Sequence, residues 1–215
     1  YTEGTPDQHL YTNAIRSYER APHIRIGFPT RYRPSDSQVE PIFMSSRDGV
    51  KFHRWNKAVI PPDAPEERDG NRSNYMANGL VSLVGNDREL AVYASEAYYE
   101  GPDSRLRRFT YRVDGFVSLQ SGTAGGELMT KPLKFQGEQL VLNFATRSGG
   151  RVAVEIQDED GQPIPGFELS KCQPLTGDSI SQTVAWKTSD SVARLSGKTI
   201  RLRIVIQDAD VYSIR

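Results

Sequence analysis

The chain lacks several features that would narrow its chemistry at once. Its 215 residues include one cysteine, Cys172, which cannot form an internal disulfide and is interpreted as a small buried hydrophobe. Lysine plus arginine and aspartate plus glutamate number 27 each, so the broad positive field that suits nucleic acid or an anionic membrane is missing. No run approaches the ~18 apolar residues of a membrane span. We therefore expect neither a nucleic-acid nor a membrane partner.

Metal and cofactor motifs are scarce as well. The histidines at positions 9, 23 and 53 lack metal-ligand spacing, and the glycines at 122–126 do not lead into a phosphate-cradling motif. The acidic clusters at 158–160 and 208–210 fit hairpin turns, with a structural calcium ion as the alternative. We expect no cofactor and no metal.

Short apolar runs that alternate with period two are what the chain does contain. Alternation places one face of each strand on a core and the other in water. Thirteen prolines and 18 glycines add frequent turns. These patterns predict an all-β fold. A seam near 112–121 divides the chain into expected units at 1–111 and 112–215, because loops before it are longer and richer in proline, arginine and aspartate.

The second unit, 112–215, has the pattern of a jelly-roll-like β-sandwich of two sheets. Trp186 lies in an alternating run and is expected to fill the core. The glycine pair at 148–150 and the acidic turn at 158–161 are typical of hairpin connections. The predicted strands are 115–120, 127–135, 139–146, 151–158, 165–169, 181–187, 198–207 and 210–214.

The first unit, 1–111, is marked by the segment 45–55, in which Asp-Gly and an alternating run predict a tight hairpin. Asp48 is interpreted as a turn residue whose side chain accepts hydrogen bonds from nearby backbone amides. A propeller blade takes four strands, so this unit predicts an incomplete ring of propeller-type blades. Open strand edges in such a ring predict a homodimer. The predicted strands are 9–15, 22–28, 40–45, 51–55, 75–84, 89–96 and 106–112.

A set of short stretches covers most of the chain, at residues 10–13, 21–24, 28–32, 47–49, 106–110, 114–118, 125–128, 154–158 and 208–210. Together they resemble glycosidase-like proteins built from a five-bladed β-propeller and a β-sandwich. The Ser-x-Asp-Gly-x-x-Phe pattern at 46–52 resembles the Asp-box hairpins of sugar-processing propellers. Such proteins are similar to bacterial relatives of glycoside hydrolase families 32, 43 and 68. The resemblance implies that the propeller acts on sugars and that the sandwich packs against it or binds carbohydrate.

Two motifs of those enzymes, Arg-Asp-Pro and Glu-Cys, are missing, and Arg47-Asp48 is followed by Gly49. The resemblance places the nucleophile or base on a first blade, which would precede Tyr1. We therefore expect the chain to be the C-terminal part of a longer protein and to be inactive alone. The sequence leaves the compartment open, and export to the periplasm or the cell exterior is an expectation whose signal would lie upstream.

Candidate site residues are carboxylates and sugar-gripping side chains of the first unit. Glu96 follows an apolar strand and precedes two tyrosines, a setting that suits a general acid with a raised pKa. Asp69 is its candidate catalytic partner. The alternative is a solvated or arginine-paired carboxylate. Aromatic rings stack on sugars, and forked donors and amides bind their hydroxyls, with ordinary loop packing as the alternative. The candidate substrate-binding residues are Arg31, Arg72, Asn74, Tyr75, Tyr98 and Tyr99.

The sequence supports one leading hypothesis and two alternatives. The first is the C-terminal part of a glycoside hydrolase-like, carbohydrate-active protein acting on oligo- or polysaccharide. The second is a carbohydrate-binding module without chemistry. The third is a purely structural β-sandwich that stabilises a neighbouring domain or an oligomer.

Overall fold

A computed structural model describes residues 8–61, 74–96, 102, 104–187 and 189–215. Strands dominate these residues, which confirms the all-β class. The chain divides into two compact units, Tyr1–Arg112 and Val113–Arg215. None of the helices within the described ranges has the length and apolarity needed to cross a membrane.

The first sheet of unit 1 is an antiparallel meander. β3 and β4 pair with successive stretches of β5, on the same edge, through Gly27 with Met44 and Thr30 with Pro41. β2 and β1 add to the outer edges of β3 and β4, and β6 pairs with the opposite edge of β5. The segments β1–β2, β3–β4, β5 and β6 therefore occupy successive positions in the sheet, in the order of the chain. Its strands are β1 His9–Leu10, β2 Arg16–Tyr18, β3 Ala21–Gly27, β4 Thr30–Arg33, β5 Gln38–Ser46 and β6 His53–Ala58.

The connection from β5 to β6 is built around Asp48. Its Oδ1 accepts hydrogen bonds from the backbone N–H groups of Val50 and Lys51, each at 2.8 Å. The Ser46 Oγ donates to the same oxygen at 2.9 Å and accepts from the Gly49 N–H at 2.9 Å. Gly49 has a φ of +74°, which glycine adopts without steric cost. The interpretation of Asp48 as a turn residue is confirmed.

The second sheet of unit 1 is another antiparallel meander. β9 pairs along one edge with β7 and β8 and along the other with β10. Phe28 of the first sheet stacks on Tyr111 of the second, with ring centroids 5.9 Å apart. Phe43 lies 5.4 Å from Phe28 and 5.1 Å from Trp55, so aromatic rings form part of the packing of this unit. The strands are β7 Tyr75–Met76, β8 Val81–Leu83, β9 Asn86–Glu96 and β10 Arg105–Arg112.

Unit 2 is organised around two long antiparallel strands, β14 and β16. β11, β12 and β13 pair with β16, and β15 pairs with β14. The predicted hairpin at 148–150 is wrong, because β14 continues through it and pairs with β16 on both sides. Residues 210–214 likewise belong to the same strand as 199–207. The strands are β11 Leu119–Ser121, β12 Gly126–Met129, β13 Leu133–Lys134, β14 Val141–Gln157, β15 Asp178–Thr183 and β16 Thr199–Ile214.

The core of unit 2 joins one face of this sheet to irregular segments. Val154, Ile156 and Ile204 supply the sheet side, whereas Phe167 and Trp186 come from outside the strands. Trp186 is buried and its Nε1 donates to the Val154 carbonyl at 3.1 Å, which confirms its predicted core position. The strand predicted at 165–169 is wrong, since that stretch turns and leads into a short 3₁₀ helix, Leu169–Lys171. A two-sheet sandwich therefore stays a prediction.

Candidate functional site

Glu96, the predicted general acid, ends β9 opposite Arg105 of β10. Its side chain is 0 % exposed. The Oε2 atom lies 3.2 Å from Arg105 Nε, and the carboxylate also forms an ion pair with Arg107. A general acid must reach a substrate proton, whereas this carboxylate is buried and paired with two guanidinium groups. The geometry favours the arginine-paired alternative. The proposed partner, Asp69, lies outside the described residues.

Arg31, a predicted sugar ligand, is held in a second buried ion pair. Arg31 on β4 stands opposite Glu40 on β5, and both side chains are buried. Arg31 Nε donates to Glu40 Oε1 at 2.9 Å, and Arg31 Nη2 contacts the same oxygen. Arg33 Nη1 lies 3.7 Å from that oxygen as well. The Arg31 fork is therefore directed at Glu40, which the sequence offered as neither partner nor site residue.

Asn74 and Tyr75 lie where the two meanders of unit 1 meet. The Asn74 N–H donates to the Val39 carbonyl at 3.0 Å, and its buried Nδ2 donates to the Pro61 carbonyl at 3.2 Å. Tyr75 pairs with Ser95, the neighbour of Glu96. Because side chains alternate along a strand, Tyr75 and Glu96 point to opposite faces of the sheet. The predicted residues Arg72, Tyr98 and Tyr99 fall outside the described ranges.

A group of exposed and partly exposed rings, contributed by β1, the residue after it and β4, was not predicted as a site. Tyr11 stacks on Tyr32 with centroids 5.5 Å apart and an interplanar angle of 28°. His9 pairs with Tyr32 across the strands and presents its ring edge-on at 5.9 Å. Tyr11 is 46 % exposed. We call His9, Tyr11 and Tyr32 the aromatic face. The i, i+2 spacing of His9 and Tyr11 is a local signal, but their contact with Tyr32 depends on the pairing of β1 with β4.

Neither a reactive thiol nor a cluster of metal ligands occurs in the part of the chain that the structure describes. Cys172 is buried, and burial raises the pKa of its thiol while the Val154 N–H donates to Sγ at 3.2 Å, so a small buried residue is confirmed. No cluster of three or more metal-ligating side chains occurs among the described residues. Arg147 forms an ion pair with the acidic cluster at 208–210, in which its Nη2 atom lies 2.9 Å from Asp210 Oδ2.

The acidic turn at 158–161 has a backbone explanation. Asp158 Oδ1 accepts the N–H groups of Asp160 at 3.0 Å and Gln162 at 2.8 Å. Gln157 then pairs with Pro163 across the turn. The carboxylate of Asp158 thus stabilises a chain reversal, as the hairpin interpretation predicts, and a calcium ion is not required to explain it.

Comparisons with known proteins add little. No protein-family model matches the chain, and no curated protein matches it. One solved structure with a detectable match is a glycoside hydrolase family 43 arabinoxylan arabinofuranohydrolase from Bacillus subtilis, in complex with cellotetraose. The two share 9 % identity with a TM-score of 0.29 over 94 % of this chain. The chain spans about half of that protein, 52 % of its length.

Proposed function

We propose that this chain is the C-terminal, non-catalytic part of a glycosidase-like, carbohydrate-active protein. Two consecutive meanders in unit 1 are consistent with propeller-type blades, since each sheet follows the order of the chain. The Asp48 turn has the hydrogen bonding expected of the Asp-box pattern. Unit 2 supplies a separate β-sheet unit with its own apolar core. Any glycoside hydrolysis belongs to the longer protein.

The ion pairs of unit 1 support a non-catalytic role for the chain alone. Glycoside hydrolysis uses two carboxylates about 5–10 Å apart, one of which must protonate the leaving group. Glu96 is buried against Arg105 and Arg107, and Glu40 is buried against Arg31. Both carboxylates therefore stabilise the fold in this proposal.

The observation that carries carbohydrate binding is the aromatic face. Sugars present apolar C–H surfaces that pack on aromatic rings, and a stacked tyrosine pair extends such a platform. Tyr11 and Tyr32 form this pair at 5.5 Å, and the exposed His9 adds ring nitrogens that bind hydroxyl groups. Backbone pairing of β1 with β4 fixes the relative position of the rings before a ligand arrives.

Calorimetric titration of the chain with a panel of neutral oligosaccharides tests this function. We expect saturable binding that Tyr11→Ala weakens about tenfold, because one stacking platform is worth roughly 1–1.5 kcal/mol. Tyr93→Ala is the matched control, since Tyr93 is another exposed tyrosine of unit 1 and makes no contact with the aromatic face in the described residues. It should bind like the unmodified chain.

Turnover assays on the same sugars complete the test. The chain alone should release no product. A flat titration over the panel would contradict carbohydrate binding, and equal affinity in the Tyr11→Ala and Tyr93→Ala variants would remove the aromatic face as its site. Sugar release by the chain alone would contradict the non-catalytic assignment.

A further inference from the structure

The long strands of unit 2 are interrupted by a wide bulge. Pairing of β14 with β16 passes from Thr146 opposite Ala209 to Arg151 opposite Gln207. Residues 147–150 therefore lie opposite Asp208 alone, whose φ of +48° is unusual for a residue other than glycine. Residues 147–149 are exposed, whereas Gly150 is buried against the Asp208 backbone. The bulge places four residues of β14 opposite one residue of β16 and exposes 147–149 to solvent within a strand that continues on both sides.

The inserted residues form one wall of a groove whose other wall is the segment 174–177. Two pairs of hydrogen bonds fix the walls. The Thr146 N–H donates to the Gly177 carbonyl at 2.7 Å, and the Gly177 N–H donates to Thr146 Oγ1 at 2.9 Å. Beyond the bulge, Val152 and Leu175 exchange backbone hydrogen bonds of 3.0 and 2.8 Å. The groove between these anchors is shallow and wide open to solvent, with about 520 Å³ of space above its lining residues.

The lining of this groove is polar and carries positive charge. Its functional side chains are two arginines and three hydroxyl residues, with no carboxylate and no aromatic ring among the lining residues. Arg147 forms ion pairs with Asp210 at 2.9 Å and Asp208 at 3.8 Å, so the positive charge left for a ligand is that of Arg151. The exposed Arg151 side chain makes no ion pair or hydrogen bond with any residue that the structure describes. The lining side chains with donors are Thr146, Arg147, Ser148, Arg151 and Thr176.

We propose that this groove binds an acidic saccharide, with the oxyanion held by Arg151. A guanidinium presents a planar fork of donors that matches a carboxylate or a sulfate, and such charge-assisted bonds are stronger than neutral ones. Ser148 and Thr176 supply hydroxyl groups for the sugar ring. The shared chemistry is an oxyanion on a hydroxyl-rich ligand, carried either by a uronate or by a sulfate ester. The saccharide class rests on the proposed function, whereas the oxyanion site rests on the groove itself.

Titration of the chain with three oligosaccharides of equal length tests this site. The probes are a galacturonate trimer, a sulfated galactose trimer without uronate, and the neutral galactose trimer. We expect at least one acidic trimer to bind more tightly than the neutral one. Arg151→Ala should weaken that binding about tenfold, as for loss of one charge-assisted hydrogen bond, and Arg151→Lys should fall between because it keeps the charge without the fork. Tighter binding of the galacturonate trimer would identify the oxyanion as a carboxylate, and tighter binding of the sulfated trimer would identify it as a sulfate.

Two controls separate this site from the aromatic face. Lys131→Ala removes an exposed cation that does not line the groove and should bind as the unmodified chain does. Tyr11→Ala should reduce binding of neutral sugars and leave the acidic trimer unaffected. Equal affinity of the Arg151→Ala variant, absence of binding by both acidic trimers, or loss of acidic binding in Tyr11→Ala would each overturn the groove site. Neutral sugars bound only through Tyr11 would still support the proposed function.

Discussion

The two units of this chain bury charged side chains with different partners. Unit 1 encloses charged residues, with Arg31, Glu40 and Glu96 among its buried side chains. Unit 2 also buries one carboxylate, Glu155, but its oxygens accept hydrogen bonds from Gln157 Nε2 and the Leu169 N–H, and the nearby Arg203 is only partly buried. The core cluster of unit 2 consists of apolar residues, among them Phe144 and Trp186. Both units consist of β-strands, so secondary structure alone does not account for the difference.

This difference means that the units should respond to mutation in different ways. Burying an ion pair costs desolvation energy, which the attraction between the two charges offsets only when the geometry is good. Removing one partner leaves the other charge buried and uncompensated, so the loss of stability is large. An apolar core loses stability in proportion to the atoms removed and the cavity left behind. Unit 1 should therefore be most sensitive to charge, and unit 2 to volume and backbone fit.

The largest effect is expected from Glu40→Ala in unit 1. It leaves the buried Arg31 guanidinium without its carboxylate, which should lower the free energy of unfolding of unit 1 by about 3–5 kcal/mol. Urea denaturation measures this through Trp55, in a background in which Trp186 is Phe. The double variant Arg31→Met/Glu40→Leu should cost less than Glu40→Ala, because it removes both charges.

Glu127→Ala is the matched control in unit 2. Glu127 is exposed and lies 2.8 Å from Arg203 Nη2, so removing it should cost about 1 kcal/mol or less. Trp186 reports this value in a background in which Trp55 is Phe. Similar losses for Glu40→Ala and Glu127→Ala would show that burial does not set the cost of removing a paired carboxylate.

The next largest effect separates the backbones of the two units. A Cβ at Gly150 in unit 2 would lie 2.2 Å from the Asp208 carbonyl oxygen, a deep overlap with backbone. A Cβ at Gly27 in unit 1 would meet the side chains of Ile15 and Met44 at 2.9 and 3.0 Å and the Asn13 carbonyl oxygen at 3.0 Å, which is a much smaller overlap. Side chains rotate away more easily than backbone moves. Gly150→Ala should cost about 3 kcal/mol and Gly27→Ala about 1 kcal/mol, measured by urea denaturation of each unit. The reverse order would contradict the backbone closure of the bulge.

Local sequence patterns predicted the turns and strands better than the pairing between them. The Asp48 turn depends on contacts within six residues of the chain, 46–51, so the Ser-x-Asp-Gly pattern was sufficient. Gly149-Gly150 fits a hairpin turn and a wide bulge equally well. Pairing with β16, which lies far along the chain, decides between them. For the same reason, the continuity of β14 could not be predicted from its alternation.

Site prediction was limited by long-range partners in the same way. Arg31 and Glu96 have side chains suited to a sugar cleft, but they are buried in ion pairs with Glu40 across one sheet and with Arg107 across the other. Asn74 is held by the Val39 and Pro61 carbonyls, which are distant in sequence as well. The Tyr11–Tyr32 stack requires the register of β1 on β4, which no local pattern specifies. Residue type indicates what a side chain can do, whereas strand pairing decides whether it faces solvent.

The smallest expected effect is the pH dependence of the exposed turn in unit 1. The N–H groups of Lys51 and Val50 hold the pKa of Asp48 below its usual 3.8. The pKa of Asp48 is lower in the folded state than in the unfolded state. The carboxylate therefore contributes its full stabilisation above the unfolded-state pKa, and this contribution is lost as the pH falls through the folded-state pKa. Urea unfolding followed through Trp55 should show Asp48→Asn and the unmodified chain converging in stability as the pH is lowered. Asp87→Asn, at an exposed residue whose side chain makes no hydrogen bond in the described ranges, should show no such convergence, and a constant gap for Asp48→Asn would assign that turn to backbone conformation instead of the carboxylate.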